Sequence, residues 1–421
     1  MGDNDAAFRS ELELGPLTPV ILPSMHTGLD RLLADDALRA EVLRGRVGLL
    51  AHPASVTRDL THAATALRAK GVRFEIIFGP EHGYGGEAQD MIGVADARDA
   101  HGTPIRSLYG EHFADLSPRA EDLDRIDVLL VDLQDIGARY YTFIWTAVLA
   151  VRACAARGVR VVVLDRPNPL GHERATLEGR SQLPRFRSFV GREPIAVRHS
   201  LTLGEIVAWR AVEEGVAKEL LTIVSSSHDA SALATSWDRP FVMPSPNMPT
   251  PETTVVYPGG CLLEGTNLSD GRGTTRPFEI TGAPYVDGER LARELNGLGL
   301  PGFVARPLTF RPTFHKHAGL TCGGVQLHVI EPSNFRSVAT YVALITLAHH
   351  HTPAAFAFRT EKYEFVDDVP AFDLLTGDAE GREAILRGDS ASRGAELVST
   401  LRATDAGVWD RAREASLRFE R

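Results

Sequence analysis

The stretch DVLLVDLQDIGARYYT, residues 127–142, decides the fold. Its first half, Asp127 to Leu133, is apolar with no alternation, so a strand there must be covered on both faces. That is the mark of a strand inside a parallel sheet. Its second half is polar and carries Gly137, and the helical composition of TFIWTAVLAVRACAARG (142–158) follows at once. A strand, a polar loop and a helix in that order form one βα unit.

The same unit recurs on either side. Upstream, Gly28 to Leu43 reads as one amphipathic helix, RVGLLAH (46–52) as a short strand, and THAATALRAK (61–70) as a helix stopped by Gly71. FEIIFG (74–79) is the next strand, with a shorter one near IRSLY. Downstream come VRVVVLD (159–165), the helix LTLGEIVAWRAVEEG and the strand LLTIVSS. Strands alternating with helices predict a Rossmann-like, doubly wound α/β sheet, in which ligands bind beyond the strand carboxyl ends.

The pattern changes further along. Residues 240–280 are rich in Pro, Gly, Thr and Asn with little periodicity, and read as a long functional loop. Beyond it, strands GFVARPLTF and GVQLHVI mix with the helix SVATYVALITLAHHH and two or three more helices. The expected division is an N-terminal extension (1–24), a Rossmann-like domain (25–240) and a smaller α+β domain (241–421) that completes a cleft. No internal repeat or low-complexity tract is present.

Composition narrows the classes of function. The 421 residues hold 43% hydrophobic and 24% charged side chains, ordinary for a globular chain, with a formal net charge of −10. Basic residues are scattered, which argues against a nucleic-acid partner. Three cysteines without a CxxC pair imply neither a disulfide framework nor a cysteine zinc site. The first twenty residues hold acidic groups and no long apolar core, and no apolar run nears the ~20 residues of a membrane span. As it stands the sequence reads as cytoplasmic with no membrane partner; a signal already removed would make it secreted or periplasmic.

Three strands run into polar loops where a site belongs. After FEIIFG comes Glu81, between Pro80 and His82 and ahead of a glycine-rich turn. A carboxyl group beside apolar strand ends suits a general acid; the plainer alternative is a capping carboxylate. Asp132 and Asp135 end the central strand with Arg139 close behind, as ligand contacts or as a structural ion pair. Asn168, between Pro167 and Pro169, is a hydrogen-bond donor to a ligand hydroxyl or a turn residue serving its own backbone.

The densest polar stretch is 264–279, holding Glu264, Asn267, Arg272 and Arg276. Two arginines among glycines and hydroxyls suit a carboxylate or phosphate. There is no P-loop lysine, no Gly-x-Ser-x-Gly elbow, and no Gly-x-Gly-x-x-Gly after the first strand, so nucleotide, ordinary α/β-hydrolase and nicotinamide chemistry are disfavoured. His315 and His317 are read as one face of a strand. No carboxylate nearby completes a zinc pattern, so contact with a ligand is preferred to a metal. His349, His350 and His351 read as favourable charge at a helix C-terminus.

At these loops the chain becomes recognisable. GPEHG (79–83), DLQDIGARYYT (132–142), DRPNPLG (165–171), PSPNMPT (244–250), YPGGCLLEGTNLSDGRGTTRPFE (257–279), PTFHKHAG (312–319) and YEFVDDVPAFDLLTG (363–377) resemble the exo-β-N-acetylmuramidases of the NamZ type, formerly a domain of unknown function. The resemblance runs from about residue 25 to the C-terminus.

It implies a Rossmann-like domain joined to a smaller one, with the site between them. It implies hydrolysis of the β-1,4 bond that releases N-acetylmuramic acid from the non-reducing end of peptidoglycan fragments, without a cofactor or metal. By the match within GPEHG, Glu81 is the catalytic acid. The second group stays open between Asp135, Glu264 and the substrate's own 2-acetamido group. The lactyl carboxylate of the sugar predicts Arg139, Arg272 or Arg276 in its pocket. His82, Tyr141, Asn168, Asn247, Asn267, His315 and His317 complete the expected binding set. The alternatives are a hydrolase or transferase for another anionic sugar or wall peptide, or a non-catalytic binder of wall fragments.

Overall fold

The computed structural model describes residues 25–89 and 92–421; the expected N-terminal extension lies outside them. Seven strands form the first sheet: β1 (Val47–Ala51), β2 (Phe74–Gly79), β3 (Ala97–Arg98), β4 (Pro104–Ser107), β5 (Val128–Asp132), β6 (Arg160–Leu164) and β7 (Leu221–Val224). Their order is β3-β4-β2-β1-β5-β6-β7, all parallel except β3 at the edge. The six parallel strands therefore follow the Rossmann order, and the chain changes direction across the sheet between β1 and β5.

The apolar runs are continuous because both faces are buried. Leu49, Ile77, Leu130 and Leu164 point to one face, against Leu29, Leu32 and Leu67 of α1 (Gly28–Ala34) and α3 (Ala63–Ala69). Leu50, Phe78, Leu129 and Val163 point to the other, toward α5 (Phe143–Ala155) and α6 (Leu203–Glu213).

The single helix expected over 28–43 is two. Asp35, at φ −107 and ψ 101, ends α1 and caps α2 (Asp36–Val42) by accepting from the Leu38 nitrogen. One aspartate thus stops one helix and starts the next. The short α4 (Ala120–Leu123) precedes β5.

The stretch 240–280 is not one loop. It contains α7 (Pro251–Gly260), started by Thr250, whose hydroxyl accepts from the Thr253 nitrogen, with Pro251 in the first turn. A 3₁₀ turn, Cys261–Gly265, follows directly. Pro258 and two terminal glycines hid this helix, because each lowers helix propensity that burial against the helix Ser337–His351 restores.

The second sheet is antiparallel, ordered β8-β10-β9, from β8 (Ile280–Ala283), β9 (Phe303–Phe310) and β10 (Cys322–Val329). It packs on α8 (Gly288–Gly297), and α8 on the buried α9 (Ser337–His351). Four helices close the chain, α10 (Ala371–Thr376), α11 (Glu380–Arg387), α12 (Ala391–Ser399) and α13 (Asp405–Ser416). The last returns to the first sheet, packing on α6, and Glu420 bridges to Ile223 of β7. Among the described residues, no helix is long and apolar enough to cross a membrane.

Candidate active site

A cleft enclosing about 530 Å³, its open mouth included, lies at the carboxyl end of β2 and β5. Its walls come from the loops after those strands, from Ser245, Asn247 and Met248, from α7 and the turn after it, and from Tyr363 and Glu364.

Glu81 reaches the cleft because the chain turns sharply after β2. At Gly79 a β-carbon would sit 2.3 Å from the Tyr84 nitrogen, so only glycine lets the loop fold back there. The Gly83 nitrogen donates to the Pro80 carbonyl at 2.9 Å and closes the turn. His82 takes φ +68, and its Nδ1 donates to the Ala88 carbonyl at 2.8 Å. In the neutral ring that leaves Nε2 as an acceptor. Glu81 is 5% exposed, and its Oε2 accepts from the Thr142 hydroxyl at 2.7 Å. Thr142 stands at the start of α5 and makes no side-chain cap bond to it. The start of the thirteen-residue helix therefore lies beside this carboxyl group.

Beneath the cleft the polar network is structural. Asp132 and Arg166, both buried, form a two-pronged ion pair at 2.5 and 2.9 Å. His52 Nε2 accepts from the Gln134 nitrogen at 2.7 Å. Burial, reinforced by Arg166, holds that imidazole well below its usual pKa, in the neutral form an acceptor requires.

One wall is aromatic. Tyr141 meets Phe143 and Tyr257 edge-on at 4.8 and 5.9 Å, Tyr257 meets Phe278 at 4.7 Å, and the Arg272 guanidinium lies over Phe278 at 4.9 Å. The Tyr141 hydroxyl is buried beside Ser245 without a hydrogen bond of good geometry. Burial raises its pKa far above 10, so it offers a neutral O–H to a ligand.

Arg272 joins that wall to a charge web. Glu264 Oε1 accepts from Arg272 Nη2 at 2.8 Å and its Oε2 from the Tyr363 hydroxyl at 2.6 Å. Arg272 also meets Asp270 at 3.1 Å, and Lys316 approaches Asp270 at 3.4 Å. Burial favours the neutral form of Asp270, but Arg272, Lys316 and His315 outweigh it and hold the carboxyl well below its ordinary value.

Of the residues singled out from the sequence, Glu81, His82, Tyr141, Asn247, Glu264 and Arg272 line this cleft. Asn247 also donates to Gln89 at 2.8 Å, tying two rims together. The others are placed elsewhere. Asp135 turns back to accept from the Gly137 nitrogen at 2.8 Å and faces His199 at 3.2 Å. Arg139, fully buried, donates to the carbonyls of Arg180, Ile195 and Leu375, so it is a structural cation and not a substrate clamp. Asn168 serves the backbone of Leu170 and Leu201, the turn alternative.

Arg276 pairs with Glu279 at 3.5 Å in a separate surface pocket beside β10. Asn267, His315 and His317 border another hollow. Nor are the two histidines on a strand: they follow β9 in a turn at φ +67 and +58.

Glu364 escaped the sequence reading, although its segment was among the recognisable motifs. It is 5% exposed, lines the cleft, and accepts from the Tyr109 hydroxyl at 3.2 Å. Glu364 and Phe365 take φ +44 and +69. Among the described non-glycine residues with positive φ, His82, Phe278 and Glu364 all line the cleft. Each such conformation costs about 1–3 kcal/mol and persists where the surroundings dictate it, characteristically at functional sites.

Two family models match nearly the whole described chain: exo-β-N-acetylmuramidase NamZ, N-terminal, over residues 47–252, and its C-terminal counterpart over 255–411. The chain belongs to the NamZ family. A curated relative, the peptidoglycan β-N-acetylmuramidase NamZ of Bacillus subtilis (strain 168), is 39% identical over 371 residues, 87% of this chain and 86% of the relative. A solved DUF1343 family protein of Bacteroides fragilis NCTC 9343 superposes with a TM-score of 0.78 at 27% identity, covering 94% of this chain and 98% of that one. A second from the same organism, with a TM-score of 0.67, 24% identity and the same coverage, shares the fold. Between them the two family models span every residue that lines the cleft.

Proposed function

We propose that this NamZ-family chain is an exo-acting glycoside hydrolase that releases N-acetylmuramic acid from the non-reducing end of peptidoglycan fragments, with Glu81 as general acid. The observation that carries the reading is the placement of Glu81. A nearly buried carboxyl group held by Thr142 faces a cleft that two other glutamates line. Glycoside hydrolysis needs one proton donor at the leaving oxygen and a second group acting at the anomeric carbon. Family membership and the relative's activity supply the substrate class.

In this reading residues 241–421 complete a cleft whose floor belongs to 25–240. Bound sugar stacks its apolar face on Tyr141 and Tyr257, and the Tyr141 hydroxyl and Asn247 contact its polar groups. Of the three arginines considered for the lactyl carboxylate, Arg272 alone lines the cleft. Glu81 gives its proton to the glycosidic oxygen as the bond to the anomeric carbon breaks.

The test compares a chromogenic β-N-acetylmuramide with the matching β-N-acetylglucosaminide. Cleavage of the muramide and not the glucosaminide is expected. A protein inert on both contradicts the proposal.

A further inference from the structure

Among the described residues three glutamates line the cleft, and their surroundings differ. Glu264 is held from both oxygens, by Arg272 and by the Tyr363 hydroxyl, and Arg272 neutralises its charge. Its bonds are those of a group that shapes a wall. Asp135, the other candidate for the second role, lies outside the cleft and caps its own turn.

Glu364 is different. It projects from a segment with two consecutive left-handed residues that are not glycine. An aromatic cluster pins that segment: Phe365 packs against Tyr109 at 5.8 Å, Phe113 at 6.2 Å and Phe189 at 6.2 Å. Tyr109 belongs to the loop after β4 and also donates its hydroxyl to Glu364. The Rossmann-like half therefore fixes both the backbone and the carboxylate of a residue 283 positions further on than Glu81. Backbone in this region is held only where surrounding contacts demand it, and here they aim one carboxylate into the cleft.

We propose that Glu364 is the second catalytic carboxylate, the proton acceptor for the group that attacks the anomeric carbon. The assignment rests on the hydrolase reading above. In the step, Glu81 gives its proton to the leaving oxygen, the bond from C1 to that oxygen breaks, and a new bond forms from the attacking oxygen to C1. The proton released goes to Glu364. It comes from water when water attacks directly, or from the acetamido N–H when the substrate's own carbonyl oxygen attacks.

The experiment uses the full chain with two substrates, N-acetylmuramyl-β-1,4-N-acetylglucosamine and an aryl β-N-acetylmuramide whose leaving group needs no proton. Glu364→Gln is expected to lose at least about a hundredfold in kcat on both, with KM little changed. Glu81→Gln is expected to lose as much on the disaccharide but far less on the aryl glycoside. Should Glu364→Gln unfold, Glu364→Asp carries the test: a loss of at least about tenfold in kcat on both substrates, at an unchanged Tm.

Glu364→Gln within threefold of wild type on both substrates, or Asp likewise where Gln unfolds, overturns the assignment while the hydrolase reading stands. A wild type inert on both overturns the two together. The first anomer formed distinguishes the proton sources, α for water and β for the acetamido group, and either supports the role as long as no sugar is bound to Glu364. A sugar covalently attached to Glu364 in the intact mass overturns it.

Discussion

Thr142 and Asp135 lie seven positions apart on one loop, and their side chains have opposite fates. Thr142 leaves its helix uncapped and spends its hydroxyl on Glu81. Thr142→Val should therefore lower kcat/KM about ten- to a hundredfold, the loss of the hydrogen bond that positions the proton donor, with Tm moved by only a few degrees. Steady-state kinetics beside a thermal melt checks this. Asp135 is spent on its own turn, so its nearness to the strand end says little about its use.

The place of Glu81 at the cleft was legible in the sequence because both its strand and its glycine turn are local. Glu364 was not, since its place depends on Tyr109 and Phe189, contacts that no local pattern encodes. Arg139 misled for a related reason. An arginine in a polar loop looks available to an anion, yet three backbone carbonyls claim it.

Helices α6 and α7 each make one especially close contact with a neighbouring element. The start of α6 rests on Asp165, whose Oδ1 accepts from the Gly204 nitrogen at 2.9 Å. Burial pushes the Asp165 carboxyl up to about 6, from an ordinary 3.8. Between those values the unfolded chain has lost the proton and the folded one keeps it. This group's contribution to stability therefore falls as pH rises from about 4 to 6, by about 3 kcal/mol in all, and then levels off. Asp165→Asn should flatten that part of the stability curve, measured by denaturant unfolding across the window; an unchanged slope contradicts the assignment.

Gly259 of α7 faces α9 so closely that a β-carbon would lie 2.1 Å from the Ser337 carbonyl oxygen. Gly259→Ala should cost about 1–3 kcal/mol through overpacking, and should disturb the cleft wall that α7 carries. Urea unfolding gives the first number and kcat the second. The proline and glycines that allow this approach are what made the element read as loop.

Across the whole molecule the alternation of apolar strands and helices made the first sheet readable as parallel and doubly wound, but not its two-residue antiparallel edge strand β3. The antiparallel sheet was read less completely, because β8 is four residues long and carries no periodicity of its own. One apolar core runs from Val131 of β5 through Val342 of α9 to Val408 of α13. The Trp409 indole donates to the Ser200 carbonyl at 2.7 Å, fastening the C-terminal helix to the first half. A core shared in this way predicts one cooperative unfolding transition for both halves. Two resolved calorimetric transitions contradict it.

The most direct test of the central claim is to digest purified peptidoglycan disaccharide, with N-acetylmuramic acid at the non-reducing end, and identify the products by mass spectrometry. The predicted result is free N-acetylmuramic acid and N-acetylglucosamine in equal amounts with wild type, and a rate lower by about a hundredfold or more with Glu81→Gln. Intact disaccharide after prolonged incubation with wild type, or release at the wild-type rate by Glu81→Gln, would contradict it.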